Sequence, residues 1–176
     1  MSAKRQQEAF MERIEAHRGI LWKVASAYCR APEDRQDLAQ ETIAQLWRSY
    51  PRFDERSAFS TWMYRIAVNV AIAFHRGDQR RPRAVPTPDS VLERVPRPDL
   101  SESDERLDLI RQLIRQLEPL DRALMLFYLD DYSHAEIAAT LGISESNVGT
   151  KIGRIKERFR RNALAAESNG ERYGTR

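Results

Sequence analysis

The sequence predicts an all-α fold: two small helical domains joined by a Pro-rich linker, the C-terminal one a helix-turn-helix. Three observations carry this. Five of the eight prolines fall between Pro82 and Pro98. On either side of them, every convincing apolar pattern has the helical period rather than the two-residue period of a strand. Near the C-terminus, a capped short helix, a glycine and a second capped helix follow in close succession. The expected domains are 1–81 and 104–165, with a linker at 82–103 and a polar, disordered tail at 166–176.

The elements follow in order. Phe10, Ile14, Leu21, Val24 and Tyr28 mark a first helical segment, with a break expected near Gly19. Pro32 stands where a helix start tolerates it. Glu33 and Asp34 suit the positive end of the helix dipole. That second helix is expected to reach Tyr50. A polar loop, SYPRFDERS, carries Phe53. A third helix is expected from Ala58 to Arg76, with Phe59, Trp62, Met63, Ile66, Ala67 and Val70 as its apolar stripe. Trp47 and Trp62 both lie near apolar stripes and read as core. Proline lacks a backbone donor and restricts the residue before it, so Pro82 to about Ser103 cannot hold a regular helix. Beyond it, Ser101 and Asp104 resemble a capping box before Leu107, Ile110, Leu113, Ile114 and Leu117. Pro119 interrupts, and another helix runs from about Leu120 to Leu129.

The next stretch is the most informative. Ser133 and Glu136 form a capping box that starts a short helix through Leu141. Gly142 supplies the left-handed conformation that ends it, and Ser144 caps its successor. Helices joined so closely must cross steeply. Ala138 is small enough to allow that, and Ile137, Leu141, Ile143 and Val148 fill the corner, which is the helix-turn-helix pattern. Projected at about 100° per residue, Val148, Ile152, Ile155 and Phe159 fall on one side of the last helix. Asn147, Thr150, Lys151, Arg154 and Arg158 fall on the other. From Glu145 to Asn162 there are six basic and two acidic side chains. Cations of this kind neutralise phosphates, while Asn, Thr and Arg reach base edges in the major groove. Gly149 and Gly153 each cost about 1 kcal/mol of helix propensity. A close approach of the helix backbone to DNA is one reason for them.

Composition narrows the class. The 176 residues are 41% apolar and 31% charged, with a formal net charge of +3 and a pI near 9.2. Charge distribution therefore says more than total charge. A single cysteine, Cys29, excludes an internal disulfide and a zinc site built from cysteine pairs. His17, His75 and His134 lack ligand spacing. No metal, no cofactor and no enzymatic activity is expected, since there is no glycine-rich phosphate loop or nucleophile constellation. No apolar run approaches the length of a membrane helix, and the N-terminus lacks a signal-peptide core, so the expected location is the cytoplasm.

The second helix has an acidic, amide-rich face of Asp34, Asp37, Gln40, Glu41, Gln45 and Arg48, opposite Leu38, Ala39, Thr42, Ile43 and Leu46. Such a face is a poor DNA surface and suits a basic or polar protein partner. Here DLAQETIAQLWRSYPRFDERSAFSTWMYRIAVN resembles the second conserved region of bacterial sigma factors of the extracytoplasmic-function (ECF) group. The terminal helix-turn-helix resembles their fourth region, and the prolines fall at their interdomain linker. The resemblance spans roughly residues 10–81 and 104–162.

It implies a sigma factor that binds core RNA polymerase and directs promoter recognition. Asp37, Gln40 and Glu41 would dock on the polymerase clamp helices. Phe53, as an exposed loop aromatic, and Asn69 would hold flipped bases of the minus-ten element by stacking and edge hydrogen bonds. A packed loop anchor is the other use for Phe53. Thr150, Lys151 and Arg154 would contact the minus-thirty-five element. Arg76, Arg80 and Arg81 suit backbone phosphates, and equally a solubilising run. An anti-sigma factor is an implied partner. The alternative function is a dimeric helix-turn-helix regulator acting on duplex operators, which leaves the acidic helix and the Phe53 loop without a role.

Overall fold

The computed structural model describes residues 3–77 and 105–173, with side chains described over 4–77 and 110–163. No strand occurs among the described residues. The chain divides into two compact units, Met1–Arg111 and Gln112–Arg176. The linker and the expected capping pair of Ser101 and Asp104 lie outside the described residues, as do Arg80 and Arg81.

In the first unit α1 spans Ala3–Ala16, α2 Arg18–Tyr28, α3 Pro32–Ser49 and α4 Phe59–His75, with a 3-10 turn at Tyr50–Arg52 before the last. The first segment is broken at His17, not at Gly19, which lies inside α2. The cause is local. The His17 N–H bonds to the Ile14 carbonyl at 3.1 Å, tightening the last turn of α1. The ring Nδ1 donates to the Arg13 carbonyl at 2.9 Å, taking the acceptor that the main chain has left. Pro32 opens α3 as expected, with Glu33 and Asp34 in its first turn. Arg35 ties that turn back to the preceding chain, donating from Nε to the Cys29 carbonyl and from its terminal nitrogen to that of Arg30. Gly77, at φ +63, ends α4 in the left-handed region.

Helices α2, α3 and α4 pack pairwise. Phe10, Met11 and Ile14 of α1 close the core over Leu21, Ile43, Leu46, Phe59 and Met63. Trp47 and Trp62 pack against it half-buried, as the apolar stripes required. Burying each large side chain contributes about 1.5–3 kcal/mol.

Helix α5 spans Glu105–Arg115, across the division between the units, and the second unit continues with α6 at Pro119–Leu129, α7 at His134–Leu141 and α8 at Glu145–Tyr173. Helix α8 thus runs through most of the tail expected to be disordered. Among its described side chains Ile155 is the last one buried, with Phe159 half-buried beyond it. Helices α6, α7 and α8 pack on one another around Leu124, Phe127, Ile137, Val148, Ile152 and Ile155. Arg122 is buried among them at 4% exposure. It donates to the carbonyls of Arg115 and Leu117 at 2.7 and 2.9 Å, so its charge sits on the negative end of α5.

Candidate nucleic-acid interface

The helix-turn-helix is assembled by backbone chemistry that the sequence spelled out. Ser133 Oγ accepts from the Glu136 N–H at 3.2 Å. The Glu136 carboxylate accepts from the Ser133 N–H and hydroxyl at 2.8 and 2.7 Å. Those bonds hold the Glu136 carboxyl below the usual glutamate range, the side-chain bond being the larger cause. Gly142, at φ +69 and ψ 32, ends α7, and its N–H and that of Ile143 both reach the Ala138 carbonyl. Ser144 then caps α8, its Oγ accepting from the Asn147 N–H at 3.2 Å. The buried corner comprises Ile137, Ala138 and Val148, with Leu141 and Ile143 half-buried.

On the outer face of α8, Asn147, Thr150, Arg154 and Arg158 are exposed. Thr150 spends its hydroxyl proton on the Ser146 carbonyl at 3.0 Å, leaving its lone pairs and methyl outward. Arg158 reaches the Gln116 carbonyl at 3.2 Å. Arg154 makes no hydrogen bond or ion pair to another described residue. Lys151 has a partner within its own unit. Its ammonium lies 2.7 Å from an Asp121 carboxylate oxygen, with the two side chains 28% and 25% exposed. It sits at the edge of the basic face, where α6 comes within reach, and it ties α8 to α6. At Gly149 a Cβ would meet the His134 ring at 3.7 Å, so this glycine faces the first turn of α7.

In the first unit the acidic face of α3 is open at Asp37, while Gln40 and Glu41 are half-buried. Glu41 is paired with Arg48 at 3.4 Å, two turns further on. Arg48 also donates from Nε to the Ala44 carbonyl, so the pair lies flat along the helix.

Phe53 is not an exposed aromatic. It is half-buried, its ring centroid 4.9 Å from that of Trp62 and 5.6 Å from that of Phe59. Tyr50 extends the same cluster to Phe10, Trp47, Phe59 and Trp62. The short 3-10 turn folds the loop back so that the ring finds apolar neighbours, and one edge stays at the surface.

Asn69 is exposed on α4, and so is Arg76 just after it. Arg65, one turn before Asn69, is exposed as well and falls on the same stripe. Arg65 was not among the residues expected from the sequence. The four-residue spacing to Asn69 was the available signal.

A second feature lies beyond the expected set. Arg13 of α1 pairs with Glu55 of the loop at 2.7 Å. Its guanidinium stands 5.8 and 5.7 Å from the ring centroids of Phe53 and Phe59. The bond to Glu55 holds the Arg13 guanidinium above its ordinary value. Among the described residues no group of His, Cys, Asp and Glu could hold a metal ion, and no helix is long and apolar enough to cross a membrane.

Comparison with known proteins fits both units. Residues 13–81 match the family model of Sigma-70 region 2, and residues 107–159 that of Sigma-70, region 4. The ECF RNA polymerase sigma-E factors of Salmonella typhimurium LT2 and Escherichia coli K12 are each 34% identical over 151 residues, covering 77% of this chain and 78% of the relative. The ECF RNA polymerase sigma factor SigE of Mycolicibacterium smegmatis is 29% identical over 153 residues, covering 85% of this chain and 59% of that protein.

Two solved structures share the fold. CnrH, in complex with the cytosolic domain of CnrY, matches with a TM-score of 0.60 and 23% identity, covering 90% of both chains. RpoE, in complex with the anti-sigma factor NepR from Bartonella quintana, matches with a TM-score of 0.61 and 18% identity, covering 86% of this chain and 94% of that one. An operator-binding regulator would have no use for a region 2. With both regions present in family order, the chain belongs to the ECF group of the sigma-70 family, a family of sigma factors and not of enzymes.

Proposed function

We propose that this sigma factor, which directs RNA polymerase to promoters as its family does, divides the work between its two units. Asp37, Gln40 and Glu41 of α3 engage core polymerase. The Phe53 loop and the exposed stripe of α4, Arg65, Asn69 and Arg76, hold the opened minus-ten strand, with Arg80 and Arg81 continuing along its phosphates. Asn147, Thr150 and Arg154 of α8 read the minus-thirty-five element in the major groove, and Arg158 contacts phosphate. Lys151 orients the helix through Asp121 and reaches DNA only by leaving that pair. The domains that carry these roles are 1–81 and 104–165.

The observation that carries the reading is the segregation of chemistry within each unit. One helix presents acid and amide, and another presents base and amide. An acidic face is repelled by phosphate and fits a basic protein groove, so the two surfaces cannot both face DNA. The same segregation supports an anti-sigma factor as a further partner, because an inhibitor must cover surfaces of opposite charge. The cytoplasm, where core polymerase works, is the location this function requires.

The polymerase assignment is tested by Asp37→Arg combined with Glu41→Arg. Asp37 is exposed, and Glu41 is half-buried in a partly exposed pair with Arg48 whose loss costs little, so the fold should survive. Affinity for core should fall at least about tenfold, equivalent to roughly 1.4 kcal/mol. A double variant that is pulled down by core polymerase as well as the parent would remove the assignment.

A further inference from the structure

The Phe53 loop is short, and few of its own side chains anchor it. Phe53 lies against Phe59 and Trp62 at one end, and Phe59 opens α4 at the other. Between them Asp54, Glu55 and Arg56 are exposed. The Asp54 carboxylate accepts the Arg56 N–H at 3.2 Å, which is a local turn and no tether to the domain. Glu55 stands at φ +57, a left-handed conformation that a glutamate rarely adopts and that something outside the loop must favour.

Arg13 provides the restraint. It comes from α1, 42 residues earlier in the chain, and its helix is fixed by the fully buried Phe10 and Ile14. Its guanidinium donates to the Glu55 carboxylate at 2.7 Å. The same group stands within cation–π range of Phe53 and Phe59, at 5.8 and 5.7 Å. One side chain therefore touches the loop's strained apex, the aromatic at its start and the aromatic that follows it.

We propose that Arg13 is a positioning residue for promoter opening, a latch that holds the Phe53 loop in the conformation in which it receives an unstacked base. The proposal rests on the reading that this loop contacts the minus-ten strand. Arg13 need not touch DNA. With the pair 38% and 67% exposed, water screens it, so its contribution is modest and its effect falls on the loop more than on the fold.

The test uses the full chain with core polymerase, on one promoter, with four variants. Permanganate reactivity of minus-ten thymines reads opening. Core affinity and the melting temperature of the free chain read the fold. Arg13→Gln keeps most of the side-chain length without the charge and should lower opening roughly three- to tenfold. Glu55→Gln should do the same. Arg13→Lys, which retains a cation near both rings and Glu55, should stay within about twofold of the parent. Core affinity and melting temperature should be unchanged in all three.

Phe53→Ala is the separate control on the underlying reading. If it opens DNA normally, that reading falls and the latch falls with it. If Phe53→Ala is impaired while Arg13→Gln opens like the parent, only the latch is wrong. A defect in Arg13→Gln that Glu55→Gln does not share, that Arg13→Lys does not rescue, or that tracks lost core affinity or melting temperature, would reduce Arg13 to a structural residue and overturn the proposal.

Discussion

Lys151 and Arg154 differ by less than one helical turn, and their periodicity puts them on the same face of α8. The structure separates them through a residue far away in sequence. Asp121, in the first turn of α6, claims the Lys151 ammonium, while Arg154 stays exposed. Projection of a single helix is blind to such a partner, because nothing in the local sequence says which other helix lies beside it. Phe53 is drawn partly inward for a related reason. Its loop reads as polar, but the aromatics of α3 and α4 draw the ring inward.

The distinction between the two cations is measurable. Arg154→Ala should cost about 1–3 kcal/mol of binding and relax preference at one position of the upstream element. Lys151→Ala should weaken all promoters alike. Lys151 and Asp121 should show a coupling of about 1 kcal/mol in a double-mutant cycle of stability, discounted for their partial exposure. Altered base preference in Lys151→Ala, with no coupling to Asp121, would make Lys151 a base reader after all.

Among the elements, those with local start and stop signals were legible to the residue and those ended by side-chain geometry only approximately. The capping box at Ser133, the left-handed Gly142 and the Ser144 cap could be assigned from residue type and spacing, because the bonds they make span only a few residues. The break between α1 and α2 was legible only to its neighbourhood: expected near Gly19, it falls at His17, whose ring turns to the Arg13 carbonyl.

The cap at α7 makes a prediction about pH. Glu136 has its folded-state pKa lowered by the bonds from Ser133. A lowered carboxyl contributes stability that is fully present above its unfolded pKa and is lost as pH falls through the folded one. Melting temperature should therefore drop as acid passes down through and below the ordinary glutamate range, with part of that drop due to this cap. Ser133→Ala should lower the melting temperature at neutral pH by roughly 5 °C and flatten the acid limb. The same acid slope in parent and variant would show that the cap does not titrate with folding.

At the scale of the whole molecule, the order of the two units and the chemistry of their faces were readable, because each unit carries its own apolar periodicity and its own charge pattern. The sequence reading opened the second domain at residue 104, and the compact units divide inside α5, after Arg111.

The proposed division of DNA contacts between two units implies that neither suffices alone. Each presents a handful of cations, and phosphate contacts of this number give weak, salt-sensitive binding. Core polymerase raises affinity by presenting both to one promoter at high effective concentration. The free chain should therefore bind a promoter duplex at least about a hundredfold more weakly than the holoenzyme does. Arg161→Ala, at an exposed site on α8 well past the residues assigned to bases, should weaken holoenzyme binding to every sequence alike. It should also reduce the salt dependence by about one ion. Fluorescence anisotropy over a salt series measures both quantities. A free chain that binds the duplex as tightly as holoenzyme would mean that polymerase adds nothing to presentation. An Arg161→Ala variant with an unchanged salt slope would end the phosphate contact of α8 before that residue.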